Sequence, residues 1–250
     1  MRELRIIPVT SSSEIQPNDS LARELLDALR RHRLSLRKGD ILVVKHKVVS
    51  KAEGRLIRLD SVKTTAASRA WAKRYDVDAR VIELALRESA SIIRRKNGVL
   101  ITETRHGFIC ANSGVDVSNV DGGEHALLLP EDPDRSARKL RGELRKLTGH
   151  SIPVIISDSF GRAWREGLTE VAIGVAGMHA LHDYRGLRDP HGYPLRVSID
   201  AVADELACAA GLLASKLTRT PFVIIRGFPY RPARGSSRSL LRPAEQDLFR

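Results

Sequence analysis

The sequence predicts a mixed α/β (α+β) fold outside the Rossmann class. Short apolar runs of strand type recur along the whole chain and are mixed with amphipathic helical stretches, without the regular alternation of a barrel or a dinucleotide-binding domain. Neither a GxxxxGK[ST] loop nor a GxGxxG turn follows any of the strands. With 42% hydrophobic residues among 250, the chain can bury one large core or two modest ones.

The elements follow in order. Leu4-Arg5-Ile6-Ile7-Pro8-Val9 predicts a first strand, which runs into a polar loop at Thr10-Ser11-Ser12-Ser13. From Ser20 onward, Leu21, Leu25, Leu26 and Leu29 share one helical stripe, and Asn18 and Asp19 offer the N-cap. Lys38-Gly39-Asp40 turns into the buried-type strand Ile41 to Val44, which ends at Lys45-His46-Lys47. Helices are expected over 66–74 and 78–88, and Gly98 to Ile101 begins another strand. Later strands are expected over 126–129, 153–156, 171–175 and 222–225, with helices over 134–147 and 199–216. In the last helix Ala201, Ala203, Ala207, Ala209 and Ala210 permit close packing. Residues 231–250, rich in Arg, Ser and Pro, read as a basic arm or linker after a domain spanning 1–230 in one or two lobes.

Lys plus Arg number 42 against 30 for Asp plus Glu, a net charge of +12 that steers anions toward the surface. Only 4% of residues are aromatic and no basic run is interleaved with them, which argues against a nucleic-acid partner. Cys110 and Cys208 are too few and too far apart for a disulfide framework or a zinc site. No leader precedes a cleavage site, and no segment reaches the roughly 18 apolar residues of a membrane span, so no membrane partner and a cytoplasmic location are expected.

Four polar clusters carry candidate chemistry. Lys45 to Arg55 combines cations, a hydroxyl and a glycine suited to phosphate oxygens, with a solvated edge strand as the alternative. Asn112 to Asn119 offers Asp116 and neutral oxygens of the kind Mg²⁺ or Mn²⁺ accepts, or else an Asx-turn loop. Ser157-Asp158-Ser159-Phe160-Gly161-Arg162-Ala163-Trp164-Arg165-Glu166-Gly167 follows the apolar strand Val154-Ile155-Ile156. There Asp158 suits a metal while Arg162 and Arg165 clamp phosphate or carboxylate, and a helix-capping Asp is the competitor. Asp204-Glu205 places a carboxylate pair on the alanine-rich helix, where it needs a counter-charge unless it faces solvent. His179, His182 and His191 lack an HExxH pattern, so they read as loop or surface residues.

Taken in order, PVTSSSEI, GDILVV, SKAEGR, NSGVDVSN, ISDSFGRAWREG, AIGVAG and VADELA resemble the coenzyme F(420)-0:L-glutamate ligase family, from about Ile6 to Tyr230. The resemblance implies a GTP-dependent ligase that adds L-glutamate to coenzyme F(420)-0 through an acyl phosphate and extends it by γ-linkage. It implies a homodimer, two divalent cations (Mg²⁺ or Mn²⁺) and a stimulating K⁺. Carried over by residue, Asp116 and Asp158 resemble ligands of one metal, and Ser159 and Glu205 ligands of the other. Thr10, Ser11, Ser12, Ser13, Lys45, His46, Lys51, Asn119 and the segment Ala203-Asp204-Glu205-Leu206-Ala207-Cys208-Ala209-Ala210 resemble its GTP contacts. Ser159 stands where many relatives have threonine, and the Thr10 to Ser13 loop lacks the glycine and proline common there. Some relatives continue past such a tail into a nitroreductase-like domain. The rival readings are an NTP-dependent amide ligase with another acceptor and a non-catalytic anion- or RNA-binding module.

Overall fold

A computed structural model describes residues 3–118 and 122–248. In chain order the elements are β1 (Arg5–Val9), α1 (Leu21–Arg31), β2 (Ile41–Lys45), α2 (His46–Ala52), β3 (Leu56–Arg58), α3 (Ala66–Tyr75) and α4 (Ala79–Glu88). There follow β4 (Ser89–Lys96), β5 (Val99–Thr104), β6 (Ile109–Ala111), β7 (His125–Leu127), α5 (Pro133–Thr148) and β8 (Val154–Arg162). The chain closes with β9 (Arg165–Ala176), β10 (His182–Asp183), β11 (Ile199–Asp200), α6 (Val202–Gly211) and β12 (Phe222–Arg226).

Five strands form the central sheet in the order β1-β12-β2-β8-β9. Only β2 and β8 run parallel, with Leu42 opposite Val154 and Lys45 opposite Ser157. Ile41 to Val44 and Val154 to Ser157 are buried throughout because both sheet faces are covered, which is why these strands read as unbroken apolar runs. On one face Leu25 and Leu29 of α1 and Leu140 and Leu144 of α5 cluster with Leu42, Val44, Ile156 and Ile224. On the other, Ala203, Leu206, Ala207 and Ala210 of α6 cluster with Ile41, Val43, Ile155 and Val223. Each such large side chain withdrawn from water contributes roughly 1.5–3 kcal/mol. Between α2 and α5 the chain builds a second lobe from α3, α4, the β4-β5-β6 sheet and the β3-β7 pair, with its own core of Leu59, Val62, Leu84, Ala85, Val115, Ala126 and Leu128.

The mixed α/β class is what the sequence predicts, and several local expectations are corrected. The N-cap of α1 is Ser20, whose side chain accepts from Arg23 N, while Asp19 accepts from Gln16 N in the preceding turn. The Lys45 to Arg55 cluster is no edge strand: β2 lies between β12 and β8, and the chain leaves it directly into α2, which buries His46, Val49 and Ser50. The strand expected to stop at 156 continues to Arg162 and pairs with β9, so Asp158 caps no helix. The helix expected over 199–216 spans only Val202–Gly211. Ile199 and Asp200 pair with β10, and past Gly211 the chain turns back toward β12.

Residues beyond β12 return to the body of the protein. Ser236 Oγ and Ser237 N donate to Asp134, and Leu240 and Leu241 pack against the two sheet-face cores. Among the described residues no helix is long and apolar enough to cross a membrane.

Candidate active site

β2 ends at Lys45, opposite Ser157, while β8 runs on beside β9, and a crevice opens beyond the carboxyl end of the parallel pairing, the usual ligand position in α/β sheets. Here that crevice is a cavity of about 870 Å³. Its walls are Lys45 to Val48 and Lys51, Ser157 to Gly161 with Leu168 and Glu170, Cys110, Ala111 and Gly114 to Asp116 of the second lobe, Ser11 and Ser13 to Ile15, Gly211, and the loop Ala214 to Pro221. A register shift between Ile156 and Ser157 marks the point where β8 passes from core to cavity, as bulges beside active sites commonly do.

Three lysines line the α2 side, and each meets a carboxylate from a different segment. Lys45 pairs with Glu170 of β9, Lys47 with Asp116 of the second lobe at 2.7 Å, and Lys51 with Glu14 of the N-terminal loop. Lys47 and Lys51 are one helical turn apart and so project from the same side of α2. The buried His46 places Nε2 3.1 Å from Asp158 Oδ1 and Nδ1 3.4 Å from Ser50 Oγ, which fixes the ring between the two. Asp158 Oδ1 also accepts from Ser159 N at 2.7 Å. Glu170 accepts from Ser157 Oγ at 2.8 Å and from Ser159 Oγ at 2.6 Å.

The electrostatics follow from these neighbours. Burial pushes the Asp116 carboxyl up, but the Lys47 ammonium and the Ser118 amide outweigh it and hold it below the usual carboxylate range. Burial pushes the Cys110 thiol up to about 12, with the Asp158 charge adding to it, so this cysteine stays a neutral part of the wall. The donors facing the cavity are oxygens of Asp116, Asp158, Ser159 and Glu170, a set suited to hard divalent cations. Among the described residues no group of three or more His, Cys, Asp or Glu converges. One or two carboxylates per ion match Mg²⁺ or Mn²⁺ that completes its shell with water and substrate phosphates, so the residues present fit such a group.

The structure brings Ser11, Ser13, Lys45, His46, Lys51, Asp116, Asp158 and Ser159 to the cavity. Thr10 and Ser12 lie beside it; Thr10 Oγ1 is engaged with His32 at 2.8 Å. Arg162 and Arg165 are exposed toward the β8–β9 turn, where Arg162 donates to Glu166 O, and neither reaches the cavity wall. Asn119 lies outside the described residues.

The Ala203 to Ala210 segment is not brought to the cavity either. Ala203, Leu206, Ala207 and Ala210 are buried in the core against the sheet, the reason for the alanine-rich composition. Glu205 is exposed, whereas Asp204 turns inward and accepts from Ala172 N at 2.7 Å, and Cys208 Sγ donates to Glu170 O. Sequence reasoning missed Glu170, Glu14 and the loop Ala214 to Pro221, which Ser11 N ties to the N-terminal loop through Arg219 O. The available signal was the polar run Ser215-Lys216-Leu217-Thr218-Arg219-Thr220 immediately before a buried strand.

The sequence pattern of the F420-0:Gamma-glutamyl ligase family matches residues 10–227. The chain belongs to this family. It is 43% identical to coenzyme F420:L-glutamate ligase of Methanopyrus kandleri over 252 residues, covering 99% of this chain and 98% of that protein. It is likewise 43% identical to coenzyme F420:L-glutamate ligase of Methanothermobacter thermautotrophicus over 250 residues, with 99% of both chains covered. The protein of that name from Methanocaldococcus jannaschii is 43% identical over 213 residues, 85% of each chain. Within the family match lie every wall of the cavity and all three lysine–carboxylate pairs.

Proposed function

We propose that this protein is a carbon–nitrogen ligase that joins L-glutamate to coenzyme F(420)-0 at the expense of GTP and can add further glutamates by γ-linkage. The observation that carries the reading is a cavity beyond the end of the β2–β8 pairing where lysines and oxygen donors converge, in a chain alike from end to end to proteins named coenzyme F420:L-glutamate ligase. A carboxylate is a poor electrophile, so an amine can displace its oxygen only after phosphorylation to an acyl phosphate. In this reading Lys47 and Lys51 attract the phosphate oxygens as point charges, with Ser215, Lys216, Thr218 and Arg219 of the 214–221 loop around them. Asp116, Asp158 and Ser159 would hold divalent cations, which when bound would neutralise charge on the transferring phosphoryl group. His46 holds Asp158 toward the cavity, and Phe160, Leu168 and Ile15 restrict water there. A homodimer in the cytoplasm, with K⁺ as an accessory ion, belongs to the same reading.

The test is mass spectrometry of the products after incubation with coenzyme F(420)-0, L-glutamate, Mn²⁺ and either GTP or ATP. The expected result is an acceptor heavier by one or more glutamyl residues, with GDP and inorganic phosphate released. Nucleotide hydrolysis with no glutamyl product would sink the assignment of acceptor.

A further inference from the structure

Glu170 is a cavity carboxylate engaged on three sides. Its side chain is only 10% exposed, and it meets the Lys45 ammonium and the hydroxyls of Ser157 and Ser159 together. Ser159 faces it directly across the β8–β9 ladder. The fold makes room for it at one point: a Cβ on Gly211, at the end of α6, would stand 2.5 Å from Glu170 Cγ. A side chain so enclosed, in a space that one glycine keeps open, has a defined orientation.

A carboxylate facing an ammonium is an acceptor only, so both serine hydroxyls must spend their single proton on it. What Ser157 and Ser159 then have left for a ligand is lone pairs. Phosphate oxygens are acceptors too and gain nothing from such a wall; a cation does. We infer that Glu170 is a positioning residue that fixes the Ser159 hydroxyl as an oxygen donor toward a divalent cation, with Lys45 holding Glu170 in that orientation. This rests on the metal-dependent reading above, and it adds a residue that the sequence-based ligand set lacks.

The replacement Glu170→Gln keeps the size but turns the charged acceptor that Ser159 shares with Lys45 into a neutral amide oxygen and puts an NH2 opposite Ser157, so Ser157 is forced to reverse and Ser159 is held less firmly. Mn²⁺ alone is the probe, titrated against the full chain and followed by the electron paramagnetic resonance of free Mn²⁺, without and with GTP. Partners that orient a metal ligand typically govern affinity by about 10–100-fold, and a loss of that size is expected for Glu170→Gln. Ser159→Ala should lose a similar amount. Because both act through one bond, the double variant should lose no more than the worse single one. Gly211→Ala crowds the same side chain from the end of α6 and should weaken Mn²⁺ in parallel, which keeps the inference testable if Glu170→Gln does not fold. Undiminished Mn²⁺ affinity in folded Glu170→Gln, or losses that add fully with those of Ser159→Ala, would overturn the role of Glu170 and leave the ligase reading intact. Wild-type protein that binds no Mn²⁺ with or without GTP would overturn both.

Discussion

Asp116, at the cavity, and Asp204, on α6, are partly buried carboxyls with opposite outcomes. For both, burial is the largest influence and pushes the proton affinity up. Lys47, 2.7 Å from Asp116, reverses that push and leaves a carboxylate held below its usual range. Asp204 has only the Ala172 amide, which does not offset the burial, and its carboxyl stays raised. Withdrawal from water therefore does not make an acid a ligand; a facing cation and an open side do. The cavity supplies both, and the α6–sheet interface supplies neither.

The contrast is broken most directly at Asp158. Asp158→Asn should fold, melting within a few degrees of wild type, yet lose roughly 10²-fold or more in metal-dependent GTP turnover. Wild-type turnover in the folded variant would remove Asp158 from the cavity's chemistry. Ala207→Leu tests the other side. Overpacking α6 against Ile155 and Val223 should cost about 1–3 kcal/mol of stability, while nucleotide affinity measured well below the melting point stays unchanged. A selective loss of GTP binding with normal stability would return α6 to the nucleotide site. Lys51→Ala should weaken GTP by roughly 10-fold, about 1.4 kcal/mol, and glutamate much less. Calorimetry with equal nucleotide affinities would reduce Lys51 to a tie for Glu14.

The smallest effects are expected at the two carboxyl groups of α6, Asp204 and Glu205. A carboxyl whose folded pKa is raised binds its proton more tightly in the folded state. Its favourable contribution is complete below the ordinary carboxylate pKa of about 4 and is lost as pH rises through the raised value. Asp204→Asn keeps an acceptor for Ala172 N and removes that loss. It should melt like wild type in acid and about 1–3 °C higher near neutrality. Parallel melting curves across pH would contradict the burial of Asp204. Glu205→Gln, which alters an exposed side chain, should leave the stabilisation by Mn²⁺ with a GTP analogue undiminished.

Much of this was legible in order along the chain. Ile41 to Val44 and Val154 to Ile156 show as central strands because β-branched runs of that length are suited to burial on both faces. Lys45, His46 and Lys51, and Asp158 with Ser159, show as chemistry because polar residues immediately after such strands fall at the crevice. Glu170 did not show, since within Leu168-Thr169-Glu170-Val171 it looks like any alternating polar position of a hairpin. Only the register that sets it opposite Ser159 makes it part of the cavity.

By itself, then, the sequence determined the strands of the central sheet, most of the longer helices, the family and the kinds of atoms the site would use, because apolar periodicity and local residue chemistry are properties of short segments. Which carboxylates meet which lysines was decided by the tertiary structure. Lys45, Lys47 and Lys51 are near neighbours in the chain, yet their partners Glu170, Asp116 and Glu14 come from three distant segments. Asp204 and Glu205 are adjacent in sequence, yet successive residues of a helix point about 100° apart, so packing α6 on the sheet turned one inward and left the other in solvent.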